Sequence, residues 1–197
     1  MKRRISIVLS FAAFALMACT TQAEQPVAST LNTQMSEDTA TAVFASGCFW
    51  GTEYFMKRIE GVISTDVGYT GGHVDNPTYE QVCSKTTGHY EAVKVVYDPS
   101  VVSYETLARQ FFETHDPTQM NGQGPDIGPQ YRSAIFVAND EQREVAEGLI
   151  QLLEDKGMII ATQILDADTF WSAELYHQDY YDNRGGTPYC HGYRKLF

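Results

Sequence analysis

At 197 residues the chain is long enough for one domain plus a short leader, and 43% hydrophobic residues suffice for an ordinary globular core. A formal net charge of −11 at pH 7 argues against nucleic acid or anionic lipid headgroups as partners.

The first residues speak for export. Lys2, Arg3 and Arg4 precede an apolar run from Ile5 to Ala18 that is too short to span a bilayer, the layout of a secretory signal peptide over residues 1–18. The run ends Leu16-Met17-Ala18-Cys19, which resembles a bacterial lipoprotein processing box. On that reading Cys19 is the lipid attachment site of an exported protein held in the periplasm or cell envelope. A rival cut after Ala23 would instead release a soluble periplasmic protein. Residues 1–18 hold no Asp or Glu, so either cut leaves the mature chain near −14, roughly three charges more acidic. Residues 19–40 are expected to form a flexible tether, polar and without periodicity from residue 24 onward, ahead of a catalytic domain over 41–197.

Within the domain, 41–46 reads as a strand running directly into a helix from Cys48 to about Ile59, with Thr52, Phe55, Met56 and Ile59 on one face. A second strand covers 62–69, and a loop rich in Asn, Pro, Ser and Gly follows. Strand 91–97 puts Val93, Val95 and Tyr97 on one face. Ser103 is the N-cap candidate of a helix marked by Tyr104, Leu107, Ala108 and Phe111. After a loop over 116–130 come a strand at 132–138, a helix at 141–156 with Val145, Leu149, Leu152 and Leu153 inward, and a strand at 159–165. An aromatic, loop-like tail closes the chain. The order β-α-β-β-α-β, with an extra helix, strand and tail, predicts an α+β, two-layer plait of the ferredoxin-like kind.

Cysteine usage narrows the chemistry. With Cys19 spent on lipid, Cys48, Cys83 and Cys190 remain, an odd number that leaves at least one thiol free or transiently paired. Neither Cys-x-x-Cys nor zinc-like His/Cys spacing occurs, so no metal site is expected. Cys48 falls where a strand meets a helix, and unpaired N–H groups and the helix dipole favour a reactive thiolate there. Phe49 and Trp50 beside it suggest an apolar vestibule. Glu91, at the edge of an apolar strand near aromatics, can be held neutral by desolvation and so act as a general acid. Asp126 and Tyr131, on a glycine-punctuated segment, and Tyr79 can fix a polar substrate atom.

In order and spacing, Gly47-Cys48-Phe49-Trp50-Gly51-Thr52-Glu53, Gly68-Tyr69-Thr70-Gly71-Gly72, Asn76-Pro77-Thr78-Tyr79, Gly88-His89-Tyr90-Glu91 and Gln130-Tyr131-Arg132-Ser133 resemble the peptide methionine sulfoxide reductase A family, from about Val43 to Cys190. The resemblance implies that Cys48 attacks the sulfur of methionine S-sulfoxide while Glu91 protonates the oxygen. It makes Tyr79 and Tyr131 hydrogen-bond donors to that oxygen, Asp126 a polar pocket residue, and Phe49 and Trp50 the walls around the substrate methyl group. It also implies oxidised proteins or peptides as substrates, no bound cofactor, and an external thioredoxin-like dithiol as reductant. Cys190 matches the resolving thiol of many relatives, with an external thiol as the alternative; monomer is the default state. Tyr90 stands where a small Ala is expected and is expected to narrow the loop near Glu91.

Two rivals make different predictions. A cysteine hydrolase requires one of the five histidines, His73, His89, His115, His177 or His191, beside the Cys48 sulfur. A binding module requires a structural Cys83–Cys190 disulfide and an inert Cys48.

Overall fold

The computed structural model describes residues 38–197. The signal peptide, Cys19, the alternative cut after Ala23 and nearly all of the tether lie outside the described residues. Among the described residues no helix is long and apolar enough to cross a membrane.

The protein is a mixed α+β structure built on a six-stranded sheet. Strand β1 (Ala40–Ser46) leads into helix α1 (Phe49–Met56), then come β2 (Val62–Thr70), the short α2 (Tyr79–Cys83), β3 (Tyr90–Tyr97) and α3 (Tyr104–Glu113). A two-stranded ribbon, β4 (Gly122–Gln123) and β5 (Asp126–Ile127), precedes β6 (Ser133–Val137), α4 (Asp140–Asp155) and β7 (Gln163–Asp166). The tail holds β8 (Trp171–Ser172) and α5 (Tyr180–Arg184). The sheet order is β7-β6-β1-β3-β2-β8, antiparallel except for the β6/β7 edge.

Both faces of the sheet are covered, which is why its inner strands are apolar at nearly every position. On one face Ala42, Phe44, Val67, Val93, Val95 and Ile135 pack with Met56, Leu107, Phe111, Leu149 and Leu153 from the helices. On the other, Ala45, Tyr90, Ala92, Ala134 and Phe136 pack with Val43, Leu165 and Phe170. The period-2 alternation of β3 thus sends Tyr90 and Glu91 to opposite faces. Tyr90 packs edge-on against Phe136 and its hydroxyl bonds Gln163, so it does not narrow the loop at Glu91.

Ser103 caps α3 as expected, accepting the Thr106 N–H at 3.1 Å, and Asn139 caps α4 through Gln142 at 2.9 Å. The inward face of α4 differs from the sequence reading: Leu152 is 45% exposed, and Ala146 lies inward with Leu149 and Leu153. The strand expected from Ile159 begins only at Gln163, because β6 starts at Ser133 and its ladder with β7 opens at the Ala134–Gln163 pair, ahead of which Ile159 is 86% exposed. Three stretches read as loop contain regular structure. Thr78 and Gln81 close a reciprocal capping box on α2. Residues 116–130 contain the β4/β5 ribbon, and the tail adds β8 to the edge of β2 through Gly68 and Tyr69.

Candidate active site

Strand β1 turns into α1 at Gly47, whose φ of +98° suits glycine, and a Cβ there would lie 2.4 Å from the Gln123 Cβ. Cys48 then takes the N-cap position of α1 with no side-chain cap. A Ser or Asp oxygen would hold the first N–H groups firmly; a sulfur accepts only weakly and leaves room for another acceptor. The Phe49 N–H donates to Oε2 of Glu91 at 3.2 Å, and the Trp50 N–H donates toward the Cys48 sulfur. The first turn of α1 therefore ties a thiol and a carboxyl group together.

Glu91, across the ladder from Tyr69, is 1% exposed. Burial raises its carboxyl to about 8, against the opposing pull of the Phe49 N–H, and the nearby Asp126 adds to the rise. It is a neutral acid at pH 7. Tyr131 faces the carboxyl and favours its charged form, without completing a sound hydrogen bond to Oε1, which has no protein partner. That free oxygen is available to a ligand. Burial also raises the phenols of Tyr131 and Tyr79, reinforced by the charge of Glu91 and, for Tyr79, first by a bond to Cys83. Both hydroxyls stay protonated donors.

Cys48 and Cys190 are 7% and 8% exposed, and their sulfurs lie within 4.8 Å of each other and of an Asp126 oxygen. They are free cysteines, not joined in a disulfide. The hydrogen bond between them, followed by burial and by Glu91, raises Cys48 well above an ordinary thiol. The same bond lowers Cys190 to about 6, helped by His191 at 3.1 Å from its sulfur. Cys48 therefore does not titrate alone: the first proton leaves the pair more easily than an ordinary thiol's and the second less easily, so one proton is left between the two sulfurs. Asp126 is itself held at 3.0 and 3.1 Å by the Tyr189 hydroxyl. Each of the three groups is thus engaged within the protein, the sulfurs with each other through a hydrogen bond and the carboxylate with Tyr189.

The two expected walls lie side by side, ring centroids 6.3 Å apart, but differ in burial. Phe49 is 1% exposed and belongs to the core, 5.9 Å from the Tyr69 ring and 5.1 Å from His177, so clustering at the helix start did not exclude a packing role. Trp50 is half-buried and stacks on Tyr180 with ring centroids 3.7 Å apart. Its indole N–H donates to Nδ1 of His177 at 3.2 Å.

Sequence reasoning missed the residues that support these groups. His177 is buried against Phe49, Trp50 and Tyr79. Glu174 accepts the Tyr69 hydroxyl at 3.0 Å and the Tyr79 N–H at 2.9 Å, joining tail, β2 and α2. Buried Glu53 accepts Thr65 and the N–H of Asp179, whose φ is +53°. Only the aromatic residues beside His177 signalled such a role. Neither rival pattern is present: the imidazole lies on the Cys190 sulfur rather than that of Cys48, and Cys190 faces Cys48 rather than Cys83.

Residues 40–196 match the family described as Peptide methionine sulfoxide reductase. The chain belongs to the peptide methionine sulfoxide reductase family. It is thereby an oxidoreductase, a peptide-methionine (S)-S-oxide reductase. The peptide methionine sulfoxide reductase MsrA of Saccharolobus solfataricus is 49% identical over 150 residues, covering 76% of this chain and 85% of that one. The crystal structure of reduced Mxr1 from Saccharomyces cerevisiae aligns with a TM-score of 0.74 at 35% identity, over 79% of this chain and 92% of that one. Mxr1 in complex with Trx2 aligns at a TM-score of 0.54 and 26% identity, over 79% and 90% of the two chains. The reductase motifs noted in the sequence thus converge in space. Cys48, Glu91, Asp126, Cys190 and the two phenols come from five different segments and meet where α1 begins.

Proposed function

We propose that this chain reduces methionine S-sulfoxide, in proteins or free, by attack of Cys48 on the sulfoxide sulfur. Glu91 gives its proton to the oxygen, Tyr79 and Tyr131 hydrogen-bond that oxygen, and Trp50 with the edge of Phe49 receives the methyl group. Methionine leaves, and the oxygen stays on Cys48 as a sulfenic acid. Cys190 then displaces that oxygen as water and forms the disulfide, which a thioredoxin-like dithiol reopens. The yeast relative crystallised with Trx2 supports that choice of reductant. The observation that carries the reading is the Glu91 carboxyl: buried, neutral at pH 7, tied to the residue after Cys48, and with one oxygen free. A sulfoxide sulfur becomes electrophilic only when its oxygen is protonated or strongly hydrogen-bonded, and such an acid supplies that. Purified protein with dithiothreitol should reduce a methionine sulfoxide peptide, and activity that survives Cys48→Ser would sink the assignment.

The inner strands, in the order β6-β1-β3-β2 with α1 and α3 as crossovers, support reading the core as the ferredoxin-like plait. We also read the protein as exported and anchored through Cys19, acting on oxidised envelope proteins; mass measurement of the mature N-terminus tests this.

A further inference from the structure

His191 follows Cys190 and is 8% exposed. Its ring lies on the first turn of α1. A Cβ on Gly51 would approach its Nδ1 to 2.2 Å, so the glycine of this turn clears the space that the imidazole fills. The tail that follows is fixed: the Gly192 N–H donates to the Thr114 carbonyl at 3.1 Å and the Arg194 N–H to that of Glu113 at 2.6 Å. This placement is built.

Hydroxyl groups meet the far nitrogen of the ring. Nε2 lies 3.4 Å from Ser46 and 3.5 Å from Thr52, and those two hydroxyls are 2.7 Å apart. A hydroxyl can donate to Nε2 or accept from it. Nδ1 can therefore meet a thiolate as a donor and a thiol as an acceptor. It points at the Cys190 sulfur, 3.1 Å away.

Resting on the reading of Cys190 as resolving thiol, we propose that His191 is the catalytic base of the disulfide-forming step. When Cys48 has attacked and become a sulfenic acid, the proton that the two sulfurs shared remains on Cys190. Nδ1 of His191 takes it, the Cys190 sulfur attacks Cys48, and the Cys48 S–O bond breaks. The departing hydroxide receives the proton and leaves as water, and the imidazole is neutral again. No further oxidant is required, because the sulfenic acid is the electron acceptor.

The test uses one equivalent of methionine sulfoxide peptide on the fully reduced enzyme, recording methionine released and thiols lost to disulfide. His191→Gly should slow disulfide formation relative to methionine release on the order of 100-fold. His191→Asn, which keeps a polar contact to the sulfur but cannot take a proton, should be slowed similarly. Added imidazole should restore much of the rate in the Gly variant and none in the Asn variant. Disulfide formation at the wild-type rate in either variant would overturn the proposal, as would restoration by Asn with no response to imidazole, which marks a purely positional role. Failure of the underlying reading looks different: the wild-type enzyme itself would then form no Cys48–Cys190 bond.

Discussion

Cys48 and Cys190 meet sulfur to sulfur, yet the two segments that carry them are built by different means. Cys48 stands at the junction of a central strand and a helix, where the β1 ladder to β3 and β6 and the first turn of α1 fix its backbone. Cys190 lies in a stretch without helix or strand, held by isolated bonds to the end of α3 and by the stacked rings of α5 and Trp50. The first arrangement is rigid through cooperative packing. The second is a strap whose position is the sum of separate attachments, each of which can be cut alone. Such a division suits an enzyme that presents a fixed nucleophile to substrate and a yielding partner to a reductant.

The largest expected contrast comes from the chemistry on the sheet. Glu91→Gln keeps the bond to the Phe49 N–H but has no proton to give, and should lower single-turnover methionine formation by roughly 10²- to 10⁴-fold. The wild-type pH profile should carry the same signature. Burial raises Glu91 from 4.5 to about 8, so the acid form is present below about 8 and the rate falls as pH rises through it. The folded state also holds this proton more tightly than the unfolded chain. That stabilisation is complete below pH 4.5 and is lost as pH climbs toward about 8, so Glu91→Gln should flatten the dependence of Tm on pH across that window. A Tm profile parallel to wild type would contradict the neutral buried acid.

Cutting the strap should separate recycling from reduction. Cys190→Ser should retain methionine release in the first turnover while thioredoxin-supported turnover collapses to background. Equal steady-state rates with thioredoxin for variant and wild type would remove Cys190 from the cycle. A smaller effect is expected from His177→Leu, which strands the Trp50 indole N–H at a loss of about 1–3 kcal/mol in stability. Because Trp50 is also the proposed wall, KM should rise more than kcat falls; unchanged KM would argue against that wall. The smallest effect belongs to the strap's outer surface. Leu175 is 90% exposed, and Leu175→Ser should shift stability by no more than about 0.5 kcal/mol in thermal unfolding.

The rigid half was the legible half. Alternating apolar residues in β3 and the apolar spacing in α3 follow from burial on a repeating geometry, so Val93, Val95, Leu107 and Phe111 declared themselves. Ser103 declared the start of α3 because side-chain capping is local. The motif residues Cys48, Glu91, Tyr79, Tyr131 and Asp126 were found through family resemblance, and the fold assembles them. The strap was opaque because its order is not periodic. Nothing in Glu174-Leu175-Tyr176-His177 shows that Glu174 will bridge Tyr69 and Tyr79, partners about a hundred residues away. The helical face of α4 was misassigned at Leu152 because apolar spacing alone does not say which edge of a wide stripe meets the core. The coupling of the two thiols was illegible for a related reason: a helix N-terminus acts on Cys48 alone, whereas Cys190 is a neighbour only after folding.

Under the proposed chemistry, the separation of less than 4.8 Å between the two sulfurs has a kinetic consequence. A sulfenic acid on Cys48 is born beside its captor, so closing the bond is an intramolecular event with an effective molarity of the order of 10⁵ M or more when alignment is good. A peroxide in the surrounding medium competes for the same sulfur at concentrations many orders of magnitude lower. The irreversible branch toward sulfinic acid is thereby starved, and the enzyme can work among the oxidants whose damage it reverses without being consumed by them.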